Sequence, residues 1–113
     1  MLGIECLEKD RIIENPAAMR CLEILKLRGV SISLDDFGTG YSNFNLLSKM
    51  PLDVIKIDRG IVRELSTNIA SKIITRNIIT MLKQLGYLVI AEGVEDERTI
   101  DILRQYGCDQ VQG

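Results

Sequence analysis

Histidine is absent from all 113 residues of the chain. That excludes a Ser-His-Asp or Cys-His nucleophile and leaves catalysis to carboxylate, amide and lysine groups. A basic run is missing too: 14 Lys and Arg stand against 16 Asp and Glu, a net charge of −2. Nucleic-acid binding usually needs a positive face, so DNA and RNA are disfavoured partners. A small anionic ligand remains admissible, provided that metal ions offset the carboxylates. No apolar stretch approaches the roughly 20 residues of a membrane helix, and Met1-Leu2-Gly3-Ile4-Glu5 turns acidic too soon for a signal peptide. The three cysteines, Cys6, Cys21 and Cys108, form an odd set without close pairing. They read as small core residues in a reducing compartment, so a cytoplasmic chain, or a cytoplasmic piece of something larger, is expected.

What is present suffices for one domain. At 113 residues and 46% apolar content, the chain can bury about two-thirds of its unfolded surface. It carries no linker, low-complexity tract or evident repeat. Short apolar runs alternate with helical segments. Gly3-Ile4-Glu5-Cys6-Leu7 reads as a strand; Asn15 caps a helix that starts at Pro16 and stops at Gly29. A strand over 31–34, a glycine loop and a short helix over 45–49 follow. Pro51 precedes a strand over 54–58. A long helix over 69–85 is expected to bury Ile69, Ile73, Ile78, Leu82 and Leu85 as one stripe. A strand over 88–91 runs into Glu92-Gly93, a helix over 97–105 ends at Gly107, and residues 109–112 begin a fifth strand.

This alternation predicts parallel βαβ units of the α/β class. The continuously apolar strand over 88–91 predicts burial on both faces. A barrel and a doubly wound sheet fit equally at this level. The dinucleotide-binding GxGxxG fingerprint is missing, which favours a partial TIM-like (βα) barrel of about five parallel strands with flanking helices.

The stretch Leu34-Asp35-Asp36-Phe37-Gly38-Thr39-Gly40-Tyr41-Ser42 concentrates the chemistry. Successive strand residues face opposite ways, so Asp35 and Asp36 reach one site only if the strand breaks there. Gly38 and Gly40 supply that freedom. Adjacent carboxylates repel, and a cation would hold them together; a plain strand-ending turn is the alternative. Each strand ends on a polar group: Glu5, then Asp35 and Asp36, then Lys56 and Asp58, then Glu92, then Gln112. Active sites of parallel barrels lie at this end. Lys56 lies inside an apolar run, where it either snorkels out, guards a sheet edge or pairs with carboxylates. Asp58 is better explained as the N-cap of a segment starting at Arg59.

Taken together, Asp35 to Ser42, Lys56-Ile57-Asp58, Ala91-Glu92-Gly93-Val94-Glu95 and the closing Val111-Gln112-Gly113 resemble the EAL-domain phosphodiesterases of bacteria. The resemblance implies hydrolysis of cyclic di-GMP to linear pGpG with Mg²⁺ or Mn²⁺. It implies metal ligation by Glu5, Asp35, Asp36 and Glu92, with Lys56 orienting the attacking water and Glu92 as the catalytic carboxylate beside it. Glu8 would steady the Gly38-Thr39-Gly40 loop, and Glu95 and Gln112 would support the pocket. Oxygen-rich ligation suits Mg²⁺ or Mn²⁺ and not zinc, in keeping with the absence of histidine and of a CxxC pair.

The family domain is about twice this long. Residues 1–113 therefore correspond to its C-terminal portion, without the Glu-Ala-Leu strand and the strand that carries a metal-binding Asn. Five strands cannot close an eight-stranded barrel, so an open edge and an apolar face are expected, and with them self-association and little hydrolysis by the chain alone. The alternative is a truncated or degenerate EAL domain that serves as a non-catalytic nucleotide-binding or protein-interaction module.

Overall fold

The computed structural model describes residues 3–7, 14–37 and 45–112, the side chains of Leu7, Asp36, Asn45 and Leu46 excepted. Its elements run β1 (Gly3–Leu7), α1 (Pro16–Leu27), β2 (Ser31–Phe37), α2 (Asn45–Lys49), β3 (Val54–Ile57), α3 (Arg59–Val62), α4 (Ile69–Gln84), β4 (Leu88–Ala91), α5 (Glu97–Gln105) and β5 (Gln110–Val111). The strands form one parallel sheet in the order β1-β2-β3-β4-β5. This order decides between the two architectures left open by the sequence. Right-handed crossovers that always step the same way place every helix on one face, which is the winding of a barrel. A doubly wound sheet reverses direction partway.

Local chemistry sets the helix ends as expected. Asn15 accepts hydrogen bonds from the Ala17 and Ala18 amides at 3.1 and 3.2 Å, with Pro16 next in line. Asp58 caps α3, its carboxylate accepting the Gly60 amide at 2.7 Å. Gly29, Gly86 and Gly107 end α1, α4 and α5 with φ of 83°, 93° and 96°.

Alternation along the strands sorts two faces. Cys6, Ile32, Leu34, Ile55, Ile57, Val89 and Ala91 turn toward the helices and join Leu22, Val62, Ile79, Leu82 and Leu103 in one core. Each fully buried Ile or Leu contributes about 1.5–3 kcal/mol relative to exposure. The opposite, concave face carries Glu5, Ser33, Asp35, Val54, Lys56, Leu88 and Ile90 by register. Burial on both faces therefore holds only in part: Leu88 is 37% exposed, and Ile90 is buried without joining the helix-side core. The concave face mixes the apolar Val54, Leu88 and Ile90 with the polar Glu5, Ser33, Asp35 and Lys56.

Three further expectations are corrected. Strand β2 does not stop at Leu34 but continues to Phe37. Its pairing with β3 passes from Leu34↔Ile55 to Phe37↔Ile57, three steps against two, which is a β-bulge at Asp35-Asp36. The required break is thus an extra residue within the strand, and it lets Leu34 and Phe37 both enter the core. On α4 the buried face is Thr75, Ile79 and Leu82, whereas Ile69, Ile73 and Leu85 are 75%, 50% and 57% exposed. Leu82 is buried as expected and Ile78 packs half-buried against the core, so the buried face is turned only partway, toward Thr75 and Ile79. Cys21 is exposed, because Leu22 takes the inward position on α1; Cys6 and Cys108 are buried as expected.

Candidate active site

Glu5, Asp35 and Lys56 come from β1, β2 and β3, Glu92 from the residue just after β4, and they meet on the concave face. Lys56 is central, on a strand flanked on both sides, so it is not an edge guard. Its ammonium donates a hydrogen bond to Glu5 Oε1 on β1 and lies 3.8 Å from Glu92 Oε1. The side chain is only 17% exposed, which makes these carboxylates its replacement for water. The Glu5 hydrogen bond, against the opposing effect of burial, raises the Lys56 pKa; the charges of Glu5, Glu92 and Asp35 add to the rise. Lys56 is therefore a firmly held cation.

Glu92 follows β4 directly. Its amide donates to the Ile57 carbonyl at 3.2 Å, and the Gln112 amide donates to the Ala91 carbonyl at 2.8 Å. Gly93 comes next with φ 71°; a Cβ there would stand 2.3 Å from Arg59 Cβ, so only glycine lets this turn pack against α3. Burial raises the Glu92 pKa, and the charge of Asp35 and a hydrogen bond to it raise it further, with Lys56 opposing. Asp35 and Glu92 thus stand close enough for their charges to repel, and a cation between them would relieve that repulsion.

That donor chemistry fits a hard divalent ion, which prefers oxygen ligands. Among the described residues, however, no three His, Cys, Asp or Glu side chains close into a ready cage. Glu5 is engaged by Lys56, which leaves Asp35 and Glu92 as the remaining carboxylates of the cluster. The Asp36 side chain, Glu8, Gly38, Thr39 and Gly40 lie outside the described residues. Glu95 is exposed and lines a small cavity of about 60 Å³ with Val62, Arg63, Gly93, Asp96 and Thr99. Gln112 is exposed and attaches by its backbone: its carbonyl accepts the Val94 amide at 3.0 Å. Sequence reasoning missed Ser33, which shares this face as the register partner of Glu5 and donates to the Ile4 carbonyl at 3.3 Å. The period-two series Ser31, Ser33, Asp35 was its signal.

A carboxylate–lysine cluster at the mouth of a singly wound parallel sheet agrees with the outcome of comparison. The EAL domain family model matches residues 1–113. The chain belongs to the EAL domain family. The cyclic di-GMP phosphodiesterase NbdA of Pseudomonas aeruginosa is 42% identical over 112 residues, 99% of this EAL chain and 14% of that protein. The EAL domain of Mycobacterium smegmatis DcpA superposes with a TM-score of 0.87 at 38% identity, covering 98% of this chain and 50% of that one. The phosphodiesterase PaMucR, solved as a complex with cyclic di-GMP, also gives 0.87 at 38% identity, covering 99% and 45%. This EAL chain thus spans half or less of these solved chains, and 14–18% of the curated relatives it matches. EAL domains are TIM-like barrels, and the five-stranded sheet with its flanking helices is part of one. Among the described residues, no helix is long and apolar enough to cross a membrane.

Proposed function

We propose that residues 1–113 form the C-terminal portion of an EAL domain that hydrolyses cyclic di-GMP to linear pGpG. The supporting observation is the meeting of Asp35 and Glu92 beside Lys56, which is largely buried and bonded to the exposed Glu5. In this reading Asp35, Asp36 and Glu92 hold Mg²⁺ or Mn²⁺, joined by Glu5 when it exchanges Lys56 for an ion. Two such ions, when bound, offset phosphoryl charge and acidify water. The chain's own groups do the rest. Lys56 donates a hydrogen bond that orients a water toward phosphorus. Glu92, whose pKa is raised by burial and by Asp35, accepts that water's proton. The water oxygen bonds to phosphorus as the bond from phosphorus to the ribose 3′ oxygen breaks, and the released oxygen takes a proton from solvent to become the 3′ hydroxyl. Glu8 steadies the Gly38-Thr39-Gly40 loop, and Glu95 and Gln112 buttress the pocket.

The reading includes a cytoplasmic setting, which the three free cysteines suit. It also includes self-association of the isolated chain through the sheet edges at β1 and β5, to be read by size-exclusion chromatography; a clean folded monomer would contradict that part. The assay for the whole reading is Mn²⁺-dependent conversion of cyclic di-GMP, by this chain and by the chain carried within a complete EAL domain. Little or no product is expected from the first and linear pGpG from the second. No turnover in the second would overturn the assignment.

A further inference from the structure

At the opposite ends of the strands, the same ionic clasp is built twice. Asp53 receives Lys26 on one carboxylate oxygen and the Ile32 amide, at 2.8 Å, on the other; its own amide donates to the Ile32 carbonyl at 2.7 Å. Asp109 Oδ2 receives both Lys83 and the Val89 amide, at 2.7 and 2.8 Å, while its amide donates to the Val89 carbonyl at 3.0 Å. Both lysines lie in the last turn of a helix closed by a positive-φ glycine.

The spacing matches in both copies. Lys26, Gly29, Ile32 and Asp35 follow at steps of three, and so do Lys83, Gly86, Val89 and Glu92. On the partner strands, Asp53 lies three residues before Lys56, and Asp109 three before Gln112. Each clasp therefore fastens two neighbouring strands three residues, about 10 Å, upstream of their site residues. A slip of one residue would turn those side chains to the other face.

We propose that Lys26–Asp53 and Lys83–Asp109 are positioning pairs of a duplicated unit, the first aligning Asp35 with Lys56 and the second Glu92 with Gln112. Their link to cation binding rests on the functional reading above; their effect on strand alignment does not. The test uses the 113-residue chain with Asp109→Asn, Lys83→Met and Lys83→Arg. Two quantities are read under conditions where each variant is folded by circular dichroism: amide exchange at Val94, whose amide bonds Gln112, and Mn²⁺ affinity by electron paramagnetic resonance.

Asp109→Asn and Lys83→Met should speed Val94 exchange at least tenfold more than exchange at Leu82 in α4, and weaken Mn²⁺ binding at least tenfold. Lys83→Arg should restore both. Equal acceleration at Val94 and Leu82 would mean general destabilisation and would overturn the proposal, as would unchanged Mn²⁺ affinity in a chain that binds the ion. If the unaltered chain binds no Mn²⁺, the exchange comparison alone decides the clasp. Should Asp109→Asn unfold, Lys83→Met, which leaves Asp109 on the Val89 amide, carries the same comparison.

Discussion

Asp35 and Glu92 belong to segments separated by β3, yet their carboxyl groups lie close enough that Asp35 raises the Glu92 pKa. Neighbouring strands lie about 4.8 Å apart, so two side chains one strand removed from each other meet only where the sheet curls. Lys56, on the strand between, supplies the cation beneath them. Its replacement by methionine should leave Glu92 with Asp35 and Glu5 uncompensated. The Glu92 pKa, already raised by burial and by Asp35, should then rise further. Carbon-13 NMR of the Glu92 carboxyl reads this directly, and an unchanged or lower value would contradict the geometry.

Gly93 makes a second case. Alanine there would adopt φ 71° and place its Cβ 2.3 Å from Arg59 Cβ. A left-handed non-glycine residue costs about 1–3 kcal/mol before the clash is counted. Urea denaturation of Gly93→Ala should show a loss at or above that range.

The α4 face is open to the same method. Leu82 is fully buried, and Leu82→Ala should cost about 2–5 kcal/mol. Ile73 is half exposed, and its truncation should fall within about 0.5 kcal/mol of neutral. An equal cost at the two positions would restore the stripe expected from the sequence, which buried both.

Asp109 gives stability a pH dependence. Burial pushes its carboxyl up, but the Lys83 hydrogen bond, the Val89 amide and the Lys83 charge outweigh this, and its pKa is lowered overall. The unfolded chain then binds the proton more readily than the folded one. The contribution is present above the unfolded value of about 3.9 and is lost as pH falls through the folded value. Lys83→Met should flatten this acid limb in urea titrations below about pH 4; an unchanged limb would sink the pairing.

Much of this molecule is legible in its letters, for identifiable reasons. Asn15-Pro16, Gly29, Gly86 and Gly107 punctuate the helices because each meets a local backbone requirement. Glu5, Lys56 and Glu92 are found by reading strand ends, since a parallel sheet gathers those ends in space. The bulge at Asp35-Asp36 is not legible, because register against β3 is a long-range property. Choosing Ile79 over Ile78 depends on how α4 seats on the sheet, which periodicity leaves one residue uncertain. The twin clasps are hidden for another reason: their partners, Lys26 with Asp53 and Lys83 with Asp109, lie 27 and 26 residues apart.

The most direct test of the central claim is Glu92→Gln within a complete EAL domain, assayed with Mn²⁺ for both cyclic di-GMP turnover and binding. Losing the proton acceptor should lower turnover by about 10²-fold or more while the nucleotide still binds. Turnover equal to that of the unaltered domain would remove Glu92 from the reaction, and the site drawn around it with it.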